Sequence, residues 1–371
     1  MGRRGLSEEE RILAVFERRS EVGVPFNIRH EYWYFVNKAR GTLPPEYAEM
    51  DLADVCWSWG ASWRCYSGYY VEACVRVVYE GVEAISEKIS GRRVRHVIQT
   101  PLGRLESLTA FDEWGLSSQI LEFPVKTLED FRILEFVLDS VEVQFDEEAY
   151  ERLRRRVKGR GIVSYFFPRS PLQALFYNYL GITRTIRFLR RYRREVEDFM
   201  EVIKRYNEKF YEVVASSPIR ILNLGENIDA RITSPKLFER YCLPYYQEVA
   251  DYLHRHDKYV HIHVDGYAKP LLPLLKETGL DGVEALTPKP AGDFTLAELK
   301  KELGDEMVIL DGIPYLYFLP DVDVRMLERF VKDIVSLFSG RLILGISDEL
   351  PPPSDIARVK LVSRILERLN G

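Results

Sequence analysis

The segment Tyr259-Val-His-Ile-His-Val-Asp-Gly266 places His261, His263 and Asp265 at every second position, with Val260, Ile262 and Val264 between them. Alternate residues of a β-strand share a face. As a strand, this segment has one apolar face and one face carrying two imidazoles and a carboxylate, and Gly266 ends it. Such a strand suits the wall of a barrel whose interior opens on an active site. One imidazole among several carboxylates can hold a divalent metal ion. A half-exposed strand with its polar face in water is the ordinary explanation for a lone histidine. The His-x-His-x-Asp-Gly pattern at a strand end favours a functional site.

The elements that would position these groups follow from the rest of the pattern. Strands are expected at Ile219–Gly225, around His261, at Gly282–Leu286, at Met307–Asp311 and at Arg341–Ile346. Helices are expected between them. Ser234-Pro235 opens one, with Pro244 kinking or dividing it. Others run from Pro270 to Glu277, Leu296 to Leu303, Met326 to Phe338 and Asp355 to Leu369. Near-continuous apolar strands alternating with helices predict a parallel sheet covered by helices, an α/β fold. The first half is less regular. It predicts an opening strand over Val22 to Ile28 and antiparallel strands over Val75 to Glu80, Ala84 to Ile89 and Arg93 to Gln99, turning at Gly81 and Gly91. A further strand, Arg104 to Thr109, extends this β-hairpin insertion, placed at 75–110 within a single domain over 1–371. Leu128 to Leu138, Glu147 to Val157 and Pro171 to Leu180 read as helices, and Ile162 to Phe167 as a strand.

In a parallel barrel, functional residues gather at the carboxyl ends of the strands. Those ends carry Glu226, Asn227 and Asp229, then His263 and Asp265, then Glu284, Asp311, Asp348 and Glu349. Zinc, manganese or iron would suit the set, and without a thiolate the site is harder than a cysteine-rich one. Capping of the following helices is the competing explanation, strongest for Asp229 and Asp311.

Composition bounds the alternatives. The 371 residues are 46% hydrophobic, enough for a large core, and the net charge of -5 argues for no nucleic-acid or membrane partner. The N-terminus turns acidic before any apolar run, unlike a secretory signal, and no apolar stretch is long enough to span a bilayer. A cytoplasmic location is expected. Cys56, Cys65, Cys74 and Cys242 form no Cys-x-x-Cys pair and read as small apolar residues. The basic clusters Arg152–Arg160 and Arg184–Arg194 read as solvated helix faces, not a nucleic-acid groove. Tyr32, Trp33, Tyr34, Trp57, Trp59 and Trp63 read first as core packing and second as a pocket lining.

The stretches Leu224-Gly-Glu-Asn-Ile-Asp229, Ser234-Pro-Lys-Leu-Phe-Glu-Arg-Tyr-Cys-Leu-Pro-Tyr-Tyr246, His261-Ile-His-Val-Asp-Gly266, Leu271 to Glu284 and Leu344-Gly-Ile-Ser-Asp-Glu-Leu-Pro351 resemble the uroporphyrinogen decarboxylase superfamily. The match is specific from about Ile221 to the C-terminus. The resemblance implies a TIM-type (β/α)8 barrel and two branches of chemistry, decarboxylation and methyl transfer with corrinoid proteins. The decarboxylases carry an Arg-Gln-Ala-Gly-Arg loop after the first strand. Here Ile28-Arg-His-Glu-Tyr-Trp33 keeps only Arg29. The methyltransferases that act on coenzyme M carry His-x-Cys-Gly and a late Cys that bind zinc. Here the matching positions are His263, Asp265 and Asp348, so the pattern resembles the methyltransferase branch with an all-oxygen-and-nitrogen metal site.

On that resemblance the chain is expected to be a metal-dependent methyltransferase moving a methyl group between a small substrate, a methoxylated aromatic for example, and a corrinoid protein. Carboxylate ligands would make the ion a harder Lewis acid, suited to an ether oxygen. His263, Asp265 and Asp348 would bind the metal, zinc being the first choice. Glu284 and Glu226 would act in catalysis. Arg29, His30, Asn227, His261 and Asp311 would contact the substrate. A partner protein would bring the corrinoid, and a homodimer is left open. The alternatives are a metal-free decarboxylase using Arg29 and the acid cluster, and a non-enzymatic binding protein on a retained barrel.

Overall fold

The computed structural model describes residues 5–19 and 22–371. Its contacts divide the chain into two compact units. The first comprises Met1–Cys74, Glu147–Phe166 and Ile219–Gly371; the second comprises Val75–Asp146 and Phe167–Pro218.

The first unit is built on a parallel sheet of eight strands. In order these are Asn27–Ile28, Ser62–Ser67, Gly161–Phe167, Ile221–Ile228, Tyr259–Val264, Gly282–Glu284, Val308–Pro314 and Leu342–Ser347. The last strand returns to the first: Phe26 bridges Leu344 in parallel, and the Leu344 N–H donates to the Pro25 carbonyl at 2.9 Å. The sheet therefore closes into the expected TIM-type barrel. Most strand residues are buried on both faces, which is why the strands read as continuous apolar runs in the sequence.

Register aligns the interior. His261 pairs with Asn223 on one side and Gly282 on the other, and His263 lies opposite Glu284. The helix opened by Ser234 and Pro235 is interrupted as expected. A π-helical turn at Phe238–Cys242 precedes Leu243–His254, where Pro244 cannot donate to the helical ladder and its ring crowds the preceding turn. The later helices lie at Leu296–Leu303, Val324–Phe338 and Ile356–Asn370.

The second unit holds a four-stranded antiparallel sheet, Glu83–Ser90, Arg93–Thr100, Gly103–Phe111 and Ser118–Glu122. It also holds the pair Val75–Tyr79 with Val141–Phe145, and the helices Glu129–Asp139, Ile182–Arg191 and Arg193–Ala215. The body inserted into the barrel is thus larger than the 75–110 hairpin read from sequence. Val75–Tyr79 does not pair with the next strand but with one more than sixty residues on, a pairing that local turn signals do not report.

Trp33, Tyr34, Trp59 and Trp63 are buried and pack the core, with Trp33 and Trp59 rings edge to face at 5.1 Å, whereas Trp57, also read as core, is exposed. All four cysteines are buried, and none is in a disulfide. In the Arg152–Arg160 cluster, Arg152 pairs with Glu72, Arg156 with Asp51, and Lys158 and Arg160 with Asp54. Among the described residues no helix is long and apolar enough to cross a membrane.

Candidate active site

Glu284 sits at the centre of the barrel interior with no exposed surface. Four side chains from three other strands converge on its carboxylate. Arg64 Nη1 donates at 2.7 Å and Tyr66 Oη at 2.6 Å, both from the second strand. Asn223 Nδ2 donates from the fourth strand, and His263 Nδ1 donates at 2.9 Å from the fifth. Burial alone would raise the Glu284 pKa. The hydrogen bond from His263 and the charge of Arg64 outweigh that and hold it well below the usual carboxylate range.

The same contact acts in reverse on His263. Burial favours the neutral ring, but Asp348 and the Glu284 hydrogen bond raise its pKa to about 9. The ring is therefore an imidazolium at neutral pH, with Nδ1 committed to Glu284. Its Nε2 faces Asp348 Oδ1 at 3.9 Å, too far for a hydrogen bond. Two residues earlier, His261 is pushed the other way. Burial lowers its pKa to about 4, so it stays neutral, and its Nδ1 has no hydrogen-bond partner.

Arg64 Nη1 also lies 2.9 Å from Asp311 Oδ1. Asp311 adopts a left-handed backbone, φ 77°, within the seventh strand and next to Gly312. Burial pushes its pKa up to about 7 against the pull of Arg64. The row His263–Glu284–Arg64–Asp311 thus crosses the barrel as alternating charge.

Arg29 directly follows the first strand. Its guanidinium donates to Asp348 at 2.7 Å and to Glu349 at 2.6 Å, both on the segment after the last strand. The rings of Tyr66, Tyr69 and Phe166 surround it, the nearest centroid at 4.8 Å. Burial raises the Glu349 pKa to about 7 although Arg29 opposes it.

The structure thus gathers His263, Glu284, Asp311, Asp348 and Arg29 around one interior. The other residues read from sequence lie elsewhere or differently. Asp265 is exposed one residue past its strand, its backbone N–H bonded to the Ile228 carbonyl. His30 is buried, its Nε2 2.9 Å from the Leu52 carbonyl and its ring edge-on to Trp59. Glu226 is buried and Asn227 exposed, in a stretch where register slips between Leu224 and Ile228. They were read as following the strand, but the strand runs on through them to Ile228. Three members of the interior were not read from sequence: Arg64, Tyr66 and Asn223. The segment Ser62-Trp-Arg-Cys-Tyr-Ser67 does alternate, but its outward Trp63 and Cys65 are also buried, so no contrast between faces marked it as a barrel strand.

The expected metal ligands do not fit an ion. Among the described residues no group of three or more His, Cys, Asp or Glu is spaced to hold one. The physical reason is visible at each ligand. Asp265 stays in solvent, and Asp348 is held by Arg29, whose guanidinium a cation between Asp348 and His263 Nε2 would face.

A closed barrel with an acid–base row inside its wall defines a class of α/β enzyme fold, and the comparisons with known proteins narrow it. The chain belongs to the uroporphyrinogen decarboxylase family, whose model matches residues 117–366, more than half its length. A solved methyltransferase from Methanosarcina mazei shares the fold with a TM-score of 0.62 at 13% identity, covering 99% of this chain and 100% of that one. A putative vitamin-B12 independent methionine synthase from Listeria monocytogenes aligns with a TM-score of 0.39 at 15% identity, over 60% of this chain and 68% of its own. A B12-independent methionine synthase from Shewanella sp. W3-18-1 aligns at 0.40 and 11%, over 88% and 90%. No curated protein matches the sequence.

Proposed function

We propose that the protein is a methyltransferase of the uroporphyrinogen decarboxylase family, acting on a small methyl ether such as a methoxylated aromatic, with His263 as general acid. The observation that carries this reading is the His263–Glu284 pair. A 2.9 Å contact to a buried carboxylate keeps the ring charged and fixes its orientation, while Nε2 remains without a hydrogen-bond acceptor at 3.9 Å from Asp348. An ether oxygen is a poor leaving group until it is protonated or otherwise polarised. In the reaction, the electron pair of the methyl acceptor forms the new bond to the methyl carbon. The oxygen–methyl bond breaks and its pair stays on oxygen, which takes the Nε2 proton. Solvent then returns a proton to His263. The acceptor, on the family likeness, is a corrinoid presented by a separate protein. The acid in this reading is a side chain, so the zinc expected from sequence has no step in it.

A second reading, decarboxylation, draws on Arg29, the one arginine kept from the decarboxylase loop. A guanidinium stabilises a bound carboxylate and so opposes its loss as carbon dioxide. Arg29 would therefore hold a carboxylate that does not react, with His263 protonating the carbon left behind.

The test is anaerobic incubation with a panel of methoxylated aromatics and a reduced corrinoid acceptor, following the free phenol and the methylated acceptor. His263→Gln is expected to lose roughly 100- to 10,000-fold of the rate, the usual contribution of a positioned general acid. Carbon dioxide release from an aromatic acid, without demethylation of any ether, would transfer the assignment to the lyase.

A further inference from the structure

We infer that the second unit carries a docking surface for an acidic segment of a partner protein. It is built from one face of the helix Ile182–Arg191 and the cavity where that helix begins. The inference is independent of the chemistry proposed for the barrel. At about 3.6 residues per turn, Arg184, Arg187, Arg190 and Arg191 share a face of this helix, and the buried Thr185, Phe188 and Leu189 form the opposite one. Elsewhere such a basic row is neutralised: Arg152, Arg156 and Arg160 each meet an acid, Glu72, Asp51 and Asp54. Among the described residues no carboxylate lies within ion-pair distance of the four arginines on this helix. Arg184 donates instead to the Val125 carbonyl at 2.7 Å, and Arg191 lies over the Tyr192 ring at 5.2 Å. Both contacts position a guanidinium without cancelling its charge.

The cavity at the start of the helix measures about 440 Å³. Arg184 and Arg187 line it together with Lys126, whose ammonium is held by the Glu106 carbonyl at 2.8 Å. Among the described residues of the lining Glu122 is the only acid. Its apolar part includes Leu121, on the edge strand of the four-stranded sheet, and Ile182, which are 42% and 38% exposed. An apolar hollow rimmed by cations is complementary to a carboxylate-rich segment that carries an apolar side chain. The side chain fills the hollow, and the carboxylates meet Lys126, Arg184 and Arg187. The basic face continues along the helix for about 15 Å, which suits an extended chain better than a small anion. A nucleic-acid strand would stack its bases on exposed rings, and Tyr192 beside these arginines is already covered by Arg191. A membrane would need the apolar face of the helix, which is buried.

Fluorescence anisotropy with the labelled peptide Glu-Glu-Leu-Glu-Glu-Leu-Glu-Glu tests the surface on the full chain. Two companion peptides carry Gln in place of every Glu, or Ser in place of every Leu, and both should bind more weakly. Arg187→Gln combined with Arg191→Gln is expected to weaken the acidic peptide about fivefold or more, the effect of two exposed charge contacts. Arg155→Gln, at an exposed arginine of the first unit, should leave its affinity unchanged. Ile182→Ser should weaken the leucine-bearing peptide and not its serine counterpart. The substituted residues are exposed, so an unchanged melting temperature shows that the variants are folded. No binding of the acidic peptide, equal affinity for the unaltered protein and the double variant, or an equal loss in Arg155→Gln would overturn the inference. Tighter binding of an oligothymidylate or of phosphatidylserine vesicles would overturn it in favour of a nucleic acid or a membrane. A dimer in sedimentation velocity that the double variant dissociates would give the surface to a second copy of the chain.

Discussion

Glu284 carries the largest share of the interior charge balance, because Arg64, Tyr66, Asn223 and His263 all donate to it. Glu284→Gln keeps the shape and removes the charge, which leaves Asp311 as the carboxylate beside Arg64 and turns one side-chain oxygen into a donor facing donors. Breaking a buried pair in this way costs about 3–5 kcal/mol. A loss of that order in urea denaturation is expected, against less than 1 kcal/mol if the contacts were incidental. The same substitution should lower the His263 pKa from about 9, read by the ring proton resonances. The activity of the unaltered enzyme has the complementary signature. The acid form is the competent one, so the rate should fall as pH rises through about 9. A rate that increases across that range would remove His263 as the acid. At this scale the sequence was informative where chemistry and spacing coincide. His263 and Glu284 were both singled out as strand-end residues, and they meet because their strands are neighbours in register. Asp265 misled because it continues the alternation of the strand by one residue after the strand has ended.

At the scale of elements, the closure of the barrel depends on a small residue. Gly345 lies in the last strand where it meets the first, and a Cβ there would come within 2.6 Å of the Asn27 carbonyl and 3.2 Å of Arg64 Nη2, besides striking Asp311. Gly345→Ala should cost about 1–3 kcal/mol through overpacking, and it should also disturb Arg64 and hence the acid row. Denaturation and activity would then fall together, whereas a loss of stability with full activity would detach the row from the closure. The second half of the barrel was legible because each strand there is a short apolar run separated by an amphipathic helix. Leu296–Leu303 was read to the residue, and in the structure Thr295 and Glu298 form a capping box at its start. The first strand, only Asn27–Ile28, is too short to carry a period, and Ser62–Ser67 hides its polar face among buried neighbours. The antiparallel strands joined at Gly91 and at 101–103 pair as read, but the partner of Val75–Tyr79 was not found. Strand pairing is set by packing and not by anything local to each strand.

For the whole molecule, the charge arrangement fixes how stability and activity answer to solution conditions. Because the expected ligand set is broken up by Arg29 and by the exposure of Asp265, exhaustive dialysis against a chelator is expected to leave the fold and any methyl-transfer rate unchanged. Loss of rate with recovery on adding zinc would reinstate the metal. The dependence on pH follows from linkage. His263 is raised from 6.5 to about 9, so the stability it contributes is complete below about 6.5 and is lost as pH rises through about 9. Asp311 and Glu349 are both raised to about 7, from 3.8 and 4.5, so their protonated forms also stabilise at low pH and that contribution disappears by about 7. Glu284 acts in the opposite sense: its contribution is present above 4.5 and is lost as pH falls through its depressed value. The terms cross at about pH 4, so the summed contribution of these four groups should peak there and decline toward pH 9–10. Urea midpoints across that range would show the decline. His263→Gln should flatten the part between about pH 7 and 9, by an amount on the order of 1–3 kcal/mol, while leaving the part below pH 7 to Asp311 and Glu349. A decline of unchanged slope in that variant would mean that the imidazolium is not held by Glu284 and Asp348 in solution, and the general acid would have to be sought at another side chain.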